Sequence, residues 1–355
     1  MKKINCFALI LILITTSLIG CAKTPQPTQE PDPVAEIPVE IPDPEPLPEP
    51  EPVVIVPEGI PSPLSGNYGP EEIVNGRIMA IVFDNHPAAR WQAGLKYAEV
   101  VYEYPVEGTF TRYMGLFLLN HPEGQIGPVR SARPYLVTKA YEFDAIFVHV
   151  GGSEAAKSDA RNLKIAEIDG LTSSPRVFWR ESSKKAPNNL YTSLDELRKV
   201  QKDKGFRDKS EFQGFIFAGE EAQRIGSPAN KVEIIYNKSN NTRFEYDYDS
   251  ETYLRFKDGK PHVDESDGSQ LKADNIIIQK TNIKVLDNEG RLGITVEGEG
   301  SGFYISRGLS EEITWSKTSR SGKTFYFDSS GNEIQLKPGI TWIQIIGGNS
   351  SVIIE

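Results

Sequence analysis

The sequence predicts an α+β protein: an N-terminal α/β-type mixed-sheet domain followed by an antiparallel β-rich sandwich or barrel domain. Two textures in the chain carry that expectation. Up to about residue 200, short apolar runs alternate with stretches of helical spacing, the pattern of sheets covered by helices. From Lys231 onward, short segments rich in β-branched and aromatic residues are separated by Gly, Asn and Asp turns. The expected boundaries are 67–205 for the first domain, 206–230 for a connector and 231–355 for the second.

Within the first domain, Arg77-Ile-Met-Ala-Ile-Val-Phe83 reads as a buried strand, as do Glu99 to Tyr104 and Arg112 to Leu119. Pro134 to Phe143 reads as a helix with proline in its first turn. Asp144 to Val150 is a further strand, and Glu154 to Leu163 a helix that Ser153 would cap. Ser193, with Glu196 three residues on, starts another helix through Val200. A short strand is expected at Phe212–Phe217 inside the connector. Beyond it the candidate strands are 232–236, 241–248, 253–256, 275–279, 283–285, 302–307 and 340–346. Asp258-Gly259, Glu289-Gly290 and Ser330-Gly331 supply turns between them.

Ahead of these domains, Met1-Lys2-Lys3 precedes an apolar run from Phe7 to Ile14 and then Leu18-Ile19-Gly20-Cys21. The run is shorter than the ~20 residues of a membrane span. It matches a signal peptide over 1–20 that ends in a lipobox, with Cys21 the lipidated residue, carrying palmitate-type chains. Cys6 and Cys21 are the two cysteines. With Cys6 removed and Cys21 acylated, no thiol remains for a disulfide, a nucleophile or a metal. Residues 21–66 interleave Pro with Glu and Asp, most clearly in Pro42–Pro52, and read as a disordered stalk of polyproline II character. At ~3.1 Å per residue, about 45 residues would reach on the order of 140 Å. The stalk holds nine acidic residues against Lys23, so most of the net charge of −10 belongs to it. No basic field exists for nucleic acid.

Ala80-Ile-Val-Phe-Asp84-Asn85-His86-Pro87-Ala-Ala-Arg90, Gln92-Ala-Gly94-Leu95, Ala98-Glu99-Val-Val-Tyr-Glu103, Glu107-Gly108 and Thr111-Arg112 occur in series. Ile126-Gly-Pro-Val-Arg130-Ser131-Ala-Arg133 and Ala145-Ile-Phe-Val-His149-Val-Gly151-Gly152-Ser153 follow, then Lys323 to Asp328, Gly331-Asn-Glu-Ile and Leu336 to Ile343. This series resembles the YerB-like lipoproteins over roughly residues 65–350. The resemblance implies a lipid anchor and two domains. It implies no reaction, and so no catalytic residues.

Asp84, Asn85 and His86 stand where the first strand ends, and His149-Val-Gly151-Gly152-Ser153 where another runs into a helix. Carboxyl ends of strands are where open α/β sheets hold ligands. The two glycines would turn backbone N–H groups toward an anion at a helix start. Arg130 and Arg133, with Ser131 between them, add guanidiniums suited to carboxylate or phosphate. Glu103, Glu107 and Arg112 flank a hairpin nearby. Each piece also has a structural reading: Asp84 and Asn85 as turn caps, His86 and His149 as buried histidines, the arginines paired with Glu103 and Glu107, and the glycines as a tight turn.

Three chemistries compete at such a pocket: a metal on His86, His149 and Asp84, hydrolysis by Glu103 or Glu107 with Asp84, and a Ser131 or Ser153 nucleophile with His149. Anion binding without chemistry is the simplest, and neither cofactor nor metal is expected. Trp315, Tyr304, Phe325, Tyr326 and Trp342 are either core or a sugar- or peptide-binding face. The functional expectation is a non-catalytic, lipid-anchored protein on the outer face of the cytoplasmic membrane. It would bind a cell-wall component such as peptidoglycan, or an envelope protein of wall synthesis. The alternatives are an envelope hydrolase or transferase acting on wall polymer, and a carrier of a small anionic ligand.

Overall fold

One mixed sheet passes through both regions of the chain. The computed structural model describes residues 58–219 and 225–355, so the signal peptide, Cys21 and the stalk up to residue 57 lie outside the described residues. The N-terminal region supplies β1 (Met79–Asp84), β2 (Val100–Pro105), β3 (Thr111–Phe117), α1 (Pro134–Glu142), β4 (Ile146–His149), α2 (Glu154–Leu163), β5 (Glu167–Asp169) and α3 (Leu194–Asp203). The C-terminal region supplies β6 (Lys231–Asn237), β7 (Asn240–Asp247), β8 (Thr252–Lys257), β9 (Asn275–Lys280), β10 (Gly298–Ser306), β11 (Leu309–Lys317), β12 (Phe325–Phe327), β13 (Thr341–Ile346) and β14 (Ser351–Ile354). The α+β expectation with a β-rich C-terminal region is borne out.

Among the described residues the main sheet has eleven strands, in the order β11-β10-β9-β13-β2-β3-β1-β4-β5, with a short Ser227–Pro228 strand and β12 both on β11. The seam between the two regions is β13 against β2, a parallel pairing that sets Trp342 beside Val101 and Gln344 beside Glu103. β6, β7 and β8 form an antiparallel meander in a second sheet, with β14 along the free side of β6.

Successive strand residues point to opposite faces, and both faces of the main sheet are covered. Val82, Tyr102, Met114 and Ile343 pack beneath Leu136 and Ala140 of α1 and Ala156 of α2. On the other face Ile81, Val101 and Trp342 meet Ile234 and Phe244 of the second sheet and Leu197 of α3. This explains why β1 is an unbroken apolar run, whereas β6 alternates buried and half-exposed residues. The helices start where their caps predict: Ser153 Oγ accepts from Ala156 N and Ser193 Oγ from Glu196 N, each at 3.3 Å.

The expected strand at Phe212–Phe217 is not formed. Phe217 makes one isolated bridge to Leu336, while Phe212 packs its ring 4.3 Å from Phe143, so this apolar run plugs the core rather than joining a ladder. Four of these strands were not foreseen: β5, β11, β12 and β14. β11 is reached from β10 through Arg307 and Gly308, at φ 53° and 72°; Arg-Gly is not among the usual hairpin dipeptides. β14 is a short edge strand at the chain's end.

The second sheet is pinned to the first by ions. Glu103 Oε2 accepts from Arg255 Nη2 at 2.6 Å, and its Oε1 accepts from Thr111 Oγ1 at 2.6 Å and Lys257 Nζ at 3.3 Å. The Arg255 guanidinium also lies 4.1 Å from the ring centre of Trp342. Glu103, Arg255 and Lys257 are all buried. Burial alone would raise the Glu103 carboxyl, but the Lys257 and Arg255 charges outweigh it and hold it below its ordinary value. Burial pulls Lys257 down to about 8. On the opposite face Lys139 and Lys317 converge on Glu142 Oε2 at 2.7 and 2.8 Å, tying α1 to β11.

Glu103→Gln leaves Arg255 and Lys257 buried without a carboxylate, and urea denaturation should show a loss of about 3–5 kcal/mol. A change under 1 kcal/mol would mean that solvent reaches the cluster. Lys257 has a second consequence. Between pH 8 and 10.5 the unfolded chain holds this proton and the folded chain does not. Stability relative to Lys257→Met should therefore rise with pH across that window, by up to about 3 kcal/mol. A flat difference would place the Lys257 pKa elsewhere.

Candidate functional site

β1 and β4 run parallel, so their carboxyl ends, at Asp84 and His149, open at the same end of the sheet. Between them the segment 129–132 is inserted as a strap. Arg130 N donates to Val82 O at 2.8 Å, Val150 N to Arg130 O at 3.1 Å, and Ala132 N to Gly151 O at 2.9 Å. The strap fixes Arg130, its one guanidinium-bearing residue, through the backbone.

Asp84 is almost buried and fully engaged. Its Oδ1 accepts from His86 N at 3.0 Å, its Oδ2 accepts from Asn188 Nδ2 at 2.7 Å, and Arg130 Nε lies 3.2 Å from Oδ2. Arg112 sits directly opposite Asp84 in the β1–β3 ladder, on the same face. Its Nη1 donates to Ser131 O at 2.8 Å, the one hydrogen bond of this guanidinium among the described residues, and its Nε has no partner. Arg112 is 6% exposed. Burial, then the neighbouring Arg133 charge, pull its pKa down to about 10. Arg133 is satisfied differently, by a two-pronged pair in which Nη2 lies 2.8 Å from Glu107 Oε2. Two arginines here have carboxylates; the third has only a carbonyl.

The structure therefore brings Asp84, Glu107, Arg112, Arg130, Ser131 and Arg133 together. His149, Gly151, Gly152 and Ser153 adjoin them through the strap, but as structural members. His149 Nδ1 lies 2.8 Å from Gly151 O and Nε2 lies 3.1 Å from Glu167 Oε2. Gly151 N donates to Asp169 Oδ1 at 2.7 Å, and Ser153 Oγ is the cap of α2. The expected glycine nest is thus not open to an anion, because a carboxylate of β5 already takes the Gly151 N–H.

Glu103 and Asn85 do not join the group. Both side chains project to the opposite face, where Asn85 Nδ2 donates to Thr111 Oγ1 at 2.7 Å beside the Glu103 cluster. His86 Nδ1 accepts from Ala88 N at 3.1 Å and its ring packs 4.6 Å from Phe110. Among the described residues no group of three His, Cys, Asp or Glu is placed to hold a metal ion. Of the C-terminal aromatics, Tyr304, Trp315, Tyr326 and Trp342 are buried core and Phe325 is half-buried.

Sequence reasoning missed Asn188 and Lys184. Lys184 Nζ donates to Trp91 O, Tyr191 Oη and Glu265 Oε2, each at 2.7 Å, and so fixes the loop that carries Asn188 to Asp84. The available signal was the polar run Lys184-Lys-Ala-Pro-Asn-Asn189, which marks a loop but no destination.

The profile described as "Protein of unknown function (DUF3048) N-terminal domain" matches residues 64–207, and that of the C-terminal domain matches residues 232–343. The chain belongs to the DUF3048 family. A relative, YerB of Bacillus subtilis (strain 168), which carries the name of a lipoprotein, is 35% identical over 288 residues, covering 80% of this chain and 86% of that protein. The crystal structure of the YerB protein from Bacillus subtilis superposes with a TM-score of 0.75 at 33% identity, covering 83% of this chain and 99% of that one. The YerB-like resemblance is thereby established. In this DUF3048 chain the segments matched by the two profiles meet in one sheet, at β13 and β2.

Asn188→Ala should cost about 1.5–3 kcal/mol, the range for a hydrogen bond to a charged group, and should speed amide exchange in residues 181–189. Unchanged exchange there would show that Lys184 alone fixes the loop.

Proposed function

We propose that this protein is a non-catalytic envelope protein, lipid-anchored through Cys21 to the outer face of the cytoplasmic membrane. Its folded part binds an anionic group of a cell-wall component, or of a wall-synthesis partner, at the Arg112–Arg130–Arg133 cluster. The observation that carries the reading is Arg112. A guanidinium removed from water and hydrogen-bonded to a single carbonyl is costly unless an anion completes it. A carboxylate or phosphate oxygen would supply charge-assisted hydrogen bonds to the donors left over. Arg130, with its side chain 29% exposed, gives that anion a way in. The lipobox at Leu18–Cys21 and the name carried by the relative YerB support the anchor.

The hydrolase alternative has less support, since Glu103 is closed off between two sheets and held by two cations. Two measurements test the proposal. A fatty-acid probe should label the protein in cells, and the label should vanish in Cys21→Ala. Purified protein should co-sediment with peptidoglycan without releasing fragments, and Arg112→Gln should weaken retention at least tenfold. Equal retention of a folded Arg112→Gln protein would end the binding role of this cluster.

A further inference from the structure

We infer that the ligand of this cluster is a short peptide ending in a free carboxylate. Arg112 takes the carboxylate, and the preceding residues lie in the groove between α1 and the hairpin that joins Ile283–Val285 to Leu292–Ile294. The inference rests on the proposed binding role of the same cluster and names its substrate class.

Charge bookkeeping points to a single negative charge. Arg130 faces Asp84 and Arg133 faces Glu107, so each of those guanidiniums already has its carboxylate. Arg112 is the one left over, and a carboxylate matches it with two oxygens in the plane of its fork. A phosphate with close to two charges would add repulsion from Asp84 and Glu107, which stand against the same arginines.

The space beside the cluster suits a peptide. A groove of about 410 Å³ is bounded by Pro134 and Tyr135 on one side and by Leu286, Leu292 and Ile294 on the other. That volume falls in the range of about 300–1,000 Å³ typical of small-ligand sites, and Thr138, Thr295, Glu297 and Arg320 supply the polar part of its lining. Tyr135 links the two places. It lines the groove, its hydroxyl donates to Pro105 O at 3.2 Å, and its ring stacks 5.2 Å from that of Tyr104, the residue paired with Arg112 across β2 and β3. Pro134 follows Arg133 directly, at the first turn of α1, whose positive end favours the carboxylate end of a ligand. Leu286 of the hairpin lines the groove, and Val285 and Leu286 are exposed at 68% and 65%. Apolar side chains left this exposed on a hairpin are available to cover small side chains of an extended ligand.

The test uses full-length protein in detergent and an N-terminally fluorescein-labelled Ala-Ala-Ala peptide, as free acid and as C-terminal amide, read by fluorescence anisotropy. The free acid should bind saturably and the amide at least tenfold more weakly. Arg112→Gln should lose at least tenfold, and Leu286→Asp, a change at an exposed position that spares the fold, should lose several-fold. Equal binding of acid and amide would overturn the inference. So would displacement of the peptide by inorganic phosphate at equal concentration together with no effect of Leu286→Asp, which would leave a plain oxyanion site. No peptide binding, with peptidoglycan retention still dependent on Arg112, removes the peptide class but leaves the binding reading intact. Should Arg112→Gln not fold, the acid–amide comparison and Leu286→Asp decide.

Discussion

Glu103 lies in β2, and the two cations that hold it, Arg255 and Lys257, lie 152 and 154 residues further along the chain. None of the three has access to water. A carboxylate and two cations can be buried only if all arrive together, so the meander β6–β8 has essentially one way to dock on the main sheet. Replacing such a cluster by apolar residues is often neutral or stabilising, so its effect here is to select an arrangement rather than to add stability. The pin is continuous with the sheet end. His262 contacts the Arg255 guanidinium through Nδ1 and Gln92 Oε1 through Nε2, the latter at 2.8 Å, and Gln92 Nε2 donates to Asp84 O at 2.8 Å. The backbone position of Asp84 is therefore set by residues from both family segments.

This dependence explains the mixture of rigid and unsatisfied groups at the sheet end. Asp84 is held from three sides and the strap 129–132 is stitched to β1 and β4 by backbone hydrogen bonds, so Arg130 has little freedom to reposition. Arg112 is fixed by its place in a central strand rather than by a counterion. A fold that spends its carboxylates on Arg130 and Arg133 and withholds one from Arg112 keeps a pre-positioned positive charge, and pre-positioning lowers the ordering cost of binding.

Much of the local structure was legible because it is locally encoded. The apolar run at β1, the proline that opens α1 and the serines that cap α2 and α3 each act within a few residues, and each element stands where its signal lies. What failed to show was register and facing. β2 is buried on both sides, so Glu103 sits among Tyr102 and Tyr104 with no polar alternation to say which face it takes. That is why a residue grouped with Asp84 by proximity in sequence belongs to the opposite face. The Arg307-Gly308 turn hid β11, and the phenylalanines of 212–217 looked like a strand because a core plug and a strand share the same composition. Asn188 was out of reach for a different reason: its link to Asp84 spans 104 residues and runs through a loop without periodicity.

The two ends of β2 are fastened in different ways. Glu99, just before β2, is buried and accepts from Ser62 Oγ and Ser65 Oγ at 2.5 and 2.6 Å and from Leu118 N and Leu119 N at 3.0 and 2.6 Å. Those two serines lie where the chain enters the fold, so the entering segment is fastened to the amino end of β2. The cluster around Arg112 lies beside the other end, at Tyr104 and Pro105. A strand of this length separates the two by about 20 Å at ~3.3 Å per residue. Ser62 and Ser65 and the Arg112 cluster therefore stand at opposite ends of β2. Four hydrogen bonds satisfy the buried Glu99 carboxylate at its own end of the strand, so it draws on none of the arginines at the other.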